Sequence, residues 1–272
     1  MLGLSERVVR AAPEAGGFTE TLRSIELCNG ESPPSPESQI SGCTRLIESG
    51  HETKSLLATA YNNRGNALAA KGDYDAAIRD YNAAIELSPT YAKAFNNRGV
   101  AFRKNSDHAR ALQDFDHATR LDPKYARALA NRAATLEKTH DYQRALRDYR
   151  TAADLQPQLA EAWSGLCWTR AIAGELREAL EDCNKALAIR PTEPATLDSR
   201  ALIHLKLGEF NRAIEDFDAA LRSNPRLASA LYGRGLSKSK AGDLAGGEAD
   251  VTAAKEIEPM VDAEFLRYGV GQ

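Results

Sequence analysis

The sequence has no long apolar run. Its 272 residues are 43% hydrophobic, but the apolar residues are dispersed, whereas a membrane-spanning helix needs about 20 of them in succession. Residues 1–17 also lack the apolar core of a secretory signal peptide. We therefore expect a folded protein with no membrane span and no visible export segment.

A basic excess is missing as well. Lys and Arg number 35 against 38 Asp and Glu, which gives a formal net charge of -3. A surface that follows the phosphates of a nucleic acid needs a strong basic excess or a long basic stripe. Nucleic acid is therefore not expected as a partner.

Residues typical of catalytic and metal sites are scarce and scattered. The five histidines are His51, His108, His117, His140 and His204. They show no metal-ligand spacing, and none pairs with a Ser or Cys in a recognisable nucleophile setting. The glycines follow a repeat and form no phosphate-binding motif. The sequence predicts no catalytic residue, no metal site and no cofactor, so we do not expect an enzyme.

The strongest feature that is present is a period of 34 residues. Six copies follow one another: 58–91, 92–125, 126–159, 160–193, 194–227 and 228–261. A small residue stands at the eighth place of each copy and a proline at the thirty-second, as Gly65 and Pro89 do in the first copy. Turn residues such as Gly72 divide each copy into two helices, and the proline ends the second helix. Each copy is thus predicted to be a helical hairpin that is stabilised by stacking on its neighbours.

The placing of these small residues and prolines resembles the tetratricopeptide repeat (TPR) family. The resemblance covers residues 58–261 and implies an all-α fold, a right-handed superhelix of helical hairpins known as a TPR solenoid. Residues 262–272 resemble the opening of a seventh first helix and are expected to form a C-terminal capping helix. Residues 24–57 read as a degenerate N-terminal capping segment, and residues 1–23 as a poorly ordered leader because they show no periodicity.

Arginine and aspartate recur at fixed places of the repeat. The seventh place is Arg in five copies and Leu166 in the fourth, and the twenty-third place is Asp in all six. Because partly buried charges need partners, this regularity favours pairing inside the stack over an array that binds a ligand. Pairing within each repeat would leave Asp182 opposite Leu166, and pairing to the next repeat stays open as the alternative.

The resemblance also implies where a partner would bind, since the first helices of TPR proteins line a groove, chiefly through places two, five, six, nine and twelve. The predicted groove residues are Asn62, Asn66, Lys93, Asn96, Asn97, Val100, Arg103, Arg127, Asn131, Trp168, Leu202, Tyr232 and Leu236. Amides and cations dominate the N-terminal end of this groove, here called its front, and aromatic and apolar side chains follow towards the C-terminal end. Trp and Tyr are frequent binding hot spots. Two alternatives remain open: solvated helix faces for the amides, and packing between first helices for Leu202 and Leu236.

These features predict a non-catalytic scaffold that binds a peptide or a partner helix in the groove, as a monomer or with weak self-association. One alternative is a chaperone adaptor with a non-standard carboxylate clamp, and another is a regulatory subunit of an enzyme complex. Some TPR co-chaperones hold a C-terminal carboxylate at five places, which here are Asn62, Asn66, Asn97, Arg127 and Asn131. Only one of them is positively charged where three cations are expected, which argues against the standard clamp.

Four cysteines are too few for a disulfide scaffold, but they are placed in pairs. Cys167 and Cys183 face each other across one hairpin and could form a disulfide, and Cys28 and Cys43 could tie the leading segment to the front helix. Two such bonds would imply an oxidising compartment, and the leading segment resembles that of exported bacterial TPR proteins. The missing signal peptide and the ordinary burial of free Cys favour the cytoplasm instead. The compartment stays open, with the periplasm slightly favoured by the cysteine placement and the resemblance.

Overall fold

The computed structural model describes residues 15–30, 35–50 and 52–271. All regular secondary structure in this part of the chain is helical. The helices are α1 (Ala15–Asn29), α2 (Pro36–Ser49), α3 (Lys54–Ala70), α4 (Tyr74–Leu87), α5 (Ala92–Lys104), α6 (His108–Leu121), α7 (Ala126–Lys138), α8 (Tyr142–Leu155), α9 (Ala160–Ala173), α10 (Leu176–Ile189), α11 (Pro194–Lys206), α12 (Phe210–Ser223), α13 (Ala228–Ala241), α14 (Leu244–Ile257) and α15 (Val261–Arg267). The predicted all-α fold of the TPR solenoid class is confirmed.

The helix ends follow the 34-residue period. From the second copy onward every first helix begins at the first place of its copy, as α5 does at Ala92. Every second helix ends two residues before the proline of its copy, as α4 ends at Leu87 before Pro89. The residue that precedes a proline is disfavoured in helical conformation, which explains the constant end. The first copy departs, because α3 begins at Lys54, where the Thr53 hydroxyl accepts a hydrogen bond from the Leu56 amide at 3.3 Å.

The chain forms two compact units, residues 1–121 and 122–272. In the first unit, α1 and α2 form a helix pair that packs beside α3. The two helices approach closely at Gly42, where a Cβ atom would lie 2.6 Å from that of Leu27. Residues 15–23, which we expected to belong to a poorly ordered leader, lie in α1. Residues 1–14 lie outside the described part.

The second unit contains the helix pairs from α7 to α14 and the short helix α15, which falls in the segment expected to cap the C-terminal end. Val261 and Phe265 of α15 are buried, with 0% and 2% of their surface exposed. They belong to the same apolar cluster as Tyr232 and Leu202 of the preceding first helices. α15 therefore packs on a cluster that contains Tyr232 and Leu202, two residues that we predicted to lie on the surface of the groove.

The arginines and aspartates that recur at the seventh and twenty-third places, here called the ladder, form ion pairs within each repeat. Two guanidinium nitrogens of each arginine donate to both carboxylate oxygens of its aspartate at 2.7–2.8 Å. The pairs are Arg64 with Asp80, Arg98 with Asp114, Arg132 with Asp148, Arg200 with Asp216, and Arg234 with Asp250. In the fourth repeat, Asp182 pairs with Arg170 at 2.5 Å. The expected pairing inside the stack is present, within each repeat rather than to the next, and the sequence reasoning did not identify Arg170 as the partner of Asp182.

Three of these arginines also donate to the preceding repeat of their own unit. The remaining nitrogen of Arg200 donates to Asn184 of the preceding repeat, and that of Arg234 donates to Asp218, both at 2.7 Å. Arg98 makes the equivalent bond to Asn82 in the first unit at 2.7 Å. These three arginines therefore donate hydrogen bonds in two successive repeats, which leaves them little capacity to bind a ligand.

Candidate functional site

The predicted front of the groove is a cluster of amides that bond to each other. The Asn97 amide donates to Asn62 and to Asn66, both at 3.0 Å, and the Tyr81 hydroxyl also donates to Asn66 at 2.9 Å. Asn62 and Asn96 are 3% exposed. The two bonds from Asn97 join successive first helices. Because Asn62 and Asn96 are buried, they do not lie on a ligand-facing surface, which corrects our assignment of these two to the groove.

The other polar groove residues are divided between the two units. Lys93 is exposed on α5, and Val100 and Arg103 of the same helix are half-buried. In the second unit, Arg127 is exposed and Asn131 is half-buried, both on α7. Lys93 and Arg127 are therefore the accessible cations of this set.

Two of the predicted apolar contacts are buried in the second unit. Tyr232 is 2% exposed because the ring of Phe265 packs against it edge to face, with 4.8 Å between the ring centroids. Leu202 is 3% exposed, and Leu236 is half-buried against the same cluster. Tyr232 and Leu202 are thus removed from the groove surface, and the alternative of packing holds for Leu202.

Trp168 keeps part of its surface. It is half-buried, and one side of the indole contacts the ring of Tyr268 with 4.9 Å between centroids. The residue also lines an open cavity of about 600 Å³ that lies entirely within the second unit. Its lining includes Glu137, Ser164, Thr196 and Asp198. This volume is within the usual range of ligand sites.

Asp198 is the most perturbed acid of this cavity. Its Oδ2 accepts a hydrogen bond from the Ser229 hydroxyl at 2.8 Å, whereas its Oδ1 is buried without a hydrogen-bond partner. Burial raises the pKa of Asp198 to about 7, because the charged form loses hydration, and the bond from Ser229 opposes that shift. The carboxyl group can therefore hold a proton near neutral pH.

Glu137 is the second acid of the cavity and, like Asp198, is half-buried. Its two oxygens accept hydrogen bonds from the hydroxyls of Tyr149, at 3.0 Å, and of Thr169. Burial raises the pKa of Glu137 above its ordinary value, and the two hydroxyl bonds oppose the shift. Glu137 and Asp198 stand at places twelve and five of their repeats. Both places belong to the groove in the TPR resemblance, and our sequence reasoning overlooked them because it favoured amides and aromatic rings.

Both cysteine pairs are joined in the structure. Cys28 is bonded to Cys43 and Cys167 to Cys183, with 4.7 Å and 5.0 Å between the Cα atoms. These separations are within the range that a disulfide requires. Oxidation in the native compartment, and with it the choice between periplasm and cytoplasm, stays a prediction.

No helix in the described ranges is long and apolar enough to cross a bilayer. In the same ranges, no group of three or more His, Cys, Asp and Glu side chains is arranged to hold a metal ion.

Three family models match the chain. One, described as TPR repeat, matches residues 65–106. The other two, described as tetratricopeptide repeat, match residues 92–125, and residues 131–194 and 199–259. The chain belongs to the tetratricopeptide repeat family. TPR proteins bind protein or peptide partners and are generally non-catalytic, so this TPR protein is a protein–protein interaction scaffold.

Solved structures of other TPR proteins are similar to this one. PilF of Pseudomonas aeruginosa is 20% identical to this chain, with a TM-score of 0.68. The aligned region covers 79% of this chain and 99% of PilF. A TPR protein of Parabacteroides merdae is 15% identical over 93% of this chain and 98% of its own, with a TM-score of 0.65. YrrB, described as a TPR protein with an unusual peptide-binding site, is 22% identical over 71% of this chain and 97% of its own, with a TM-score of 0.55. At these identities the likeness supports the fold alone. No curated protein sequence matches the chain significantly.

Proposed function

We propose that this TPR protein binds an extended peptide or a helix of a partner protein at the cavity of its second unit, with Trp168 as the main contact. The observation that carries the proposal is the position of this indole: it is half-buried and lines an open cavity of about 600 Å³. The other predicted aromatic contact, Tyr232, is covered by α15 and supports the unit from within.

The surroundings of Trp168 suit a binding contact. Tyr268 packs against one side of the indole, so little conformational entropy remains to be lost when a partner binds. The cavity combines apolar surface with hydroxyl groups from Ser164 and Thr196, which bond to each other at 2.8 Å. Trp is among the residues that most often dominate binding energy.

The chaperone-adaptor alternative has less support. Of its five clamp places, Asn62 is buried and Asn66 already accepts hydrogen bonds from Tyr81 and Asn97. Glu137 and Asp198 would repel a carboxylate that entered the cavity around Trp168. Nothing in the described residues favours a regulatory subunit of an enzyme complex over a scaffold of another kind. We therefore propose neither.

The test is a selection of phage-displayed random 12-residue peptides on the purified protein, followed by affinity measurements on the enriched peptides. We expect Trp168→Ala to weaken binding by about tenfold or more, as for a hot-spot residue. Trp163→Ala is the matched control: this indole is also half-buried on α9, donates to the Pro157 carbonyl at 2.9 Å, and does not line the cavity.

Circular dichroism would verify that both variants remain folded. If the two substitutions weakened peptide binding equally, or if neither did, Trp168 would not be the contact that we propose. Enrichment of no peptide at all would reject the site as a peptide-binding surface.

A further inference from the structure

The cavity around Trp168 is acidic. Its acidic and basic lining residues are Glu137, Glu161, Arg190, Glu193 and Asp198. Arg190 donates to Glu161 at 2.8 Å, and both side chains are about half exposed. This pair neutralises itself, so the remaining charged groups of the lining are three carboxyls.

Two of these carboxyl groups, on half-buried residues, have no cation. Neither Glu137 nor Asp198 has an ion pair among residues 122–271 as described. Lys206, on the same helix as Asp198, donates instead to the carbonyl of Ala171 at 2.9 Å. Buried acids are normally paired, because an isolated charge of low hydration is costly. The raised pKa values of both groups express that cost.

The cavity has unused acceptor capacity. Asp198 Oδ1 has no donor, and each oxygen of Glu137 accepts a bond from one hydroxyl although it carries two lone pairs. Asp198 lines the cavity, so a donor that enters the cavity lies next to this carboxyl group.

We propose that the cavity receives a basic side chain, Lys or Arg, of the bound partner, with the charged group between the carboxylates of Glu137 and Asp198 and the methylene groups against Trp168. This inference rests on the proposed function and specifies the chemistry of its ligand. A cation in this position supplies the positive charge that both carboxyl groups lack among the described residues, and an aromatic face accommodates both the charge and the apolar stem. α9 already carries such a contact elsewhere, because Lys185 Nζ lies 4.3 Å from the centroid of the Trp163 ring.

The peptides selected on the purified protein test the inference directly. We expect Lys or Arg to be enriched at one position, and replacement of that residue by norleucine to weaken binding about tenfold or more, because a charge-assisted contact is lost. Glu137→Gln and Asp198→Asn should each reduce this difference, so that the basic peptide and its norleucine analogue bind with similar affinity. Glu215→Gln controls for net charge, since Glu215 is exposed on α12 and does not line the cavity.

The outcomes separate the inference from the proposed function. Peptides that depend on Trp168 but bind equally well without a basic residue would overturn the inference and leave the proposed function standing. A preference for Lys or Arg that persists in both Glu137→Gln and Asp198→Asn would also overturn it, because the cation would then bind elsewhere. If no peptide depended on Trp168, both would fall.

Discussion

Replacing Asp198 by Asn should stabilise the protein above neutral pH and leave its stability unchanged in mild acid. The carboxyl ionises with a pKa of about 7 in the folded protein and near 3.9 in an unfolded chain. Between these values the folded protein holds a proton that the unfolded chain has released. Stability therefore falls as the pH rises from about 4 to about 7, and stays low above that range. Asn cannot ionise, so the variant escapes this loss.

The expected gain in the free energy of unfolding follows from the difference between the two pKa values. Each pH unit corresponds to about 1.4 kcal/mol, so a gap of roughly 3 units gives an upper bound of about 4 kcal/mol. Asp198 as a whole is only half-buried although its Oδ1 is fully buried. Water therefore screens part of the charge, and we expect a gain of about 2 kcal/mol at pH 8. The amide keeps an oxygen to accept the bond from Ser229.

The assay is urea unfolding of both proteins at pH 4.5, 6 and 8. Other carboxyls titrate over the same range, but distant groups contribute equally to both proteins and cancel in the difference. Asp154→Asn, at an exposed position of the same unit, is the control and should show no pH-dependent gain. A difference between wild type and Asp198→Asn that is the same at pH 4.5 and pH 8 would refute the reasoning.

Three further predictions concern packing and pairing in the second unit. Gly247→Ala should destabilise the protein by about 1–3 kcal/mol in urea, because its Cβ would lie 2.7 Å from a carbonyl oxygen of α13; equal or higher stability, as helix propensity alone predicts, would contradict this. Arg170→Met should destabilise by about 3 kcal/mol at pH 7 and less near pH 4, since Asp182 is 2% exposed and its pKa is already raised by burial; a pH-independent loss would contradict it. Tyr268→Ala should shift the fluorescence emission of Trp168 to longer wavelength, because the substitution uncovers one side of the indole. The measurement uses protein in which the other tryptophan, Trp163, is replaced by Phe, and unchanged emission would argue against that contact.

The repeat made most of the fold predictable because its signals act locally. A proline fixes the end of each second helix through the backbone of the residue before it, as at Leu87 and Pro89. The start of α1 at Ala15 was not predictable in this way. α1 packs mainly on α2, and the feature that permits its approach is the lack of a side chain at Gly42, far along the chain.

The site was less predictable, because the place of a residue in the repeat does not determine whether it is exposed. Tyr232 and Trp168 both stand at places that the TPR resemblance assigns to the groove. Phe265 of α15 covers Tyr232, whereas Trp168 retains access to the cavity. Asn62 shows the same limit, since its burial depends on a bond from Asn97 in the following repeat. These contacts join residues that are about one repeat apart in sequence, and single places carry no signal for them.

A comparison of Asp182 with Asp198 distinguishes a carboxylate that stabilises the fold from one that is available to a partner. Burial raises the pKa of both. Asp182 has Arg170 at 2.5 Å, so removal of this cation should leave a buried charge with only Lys185, at 3.8 Å, nearby and destabilise the protein. Asp198 has no cation in the described residues, so removal of its own charge should stabilise the protein while it weakens the binding of a basic peptide. A gain in stability together with a loss of binding would mark Asp198 as a binding residue, because a carboxylate needed by the fold would produce losses in both.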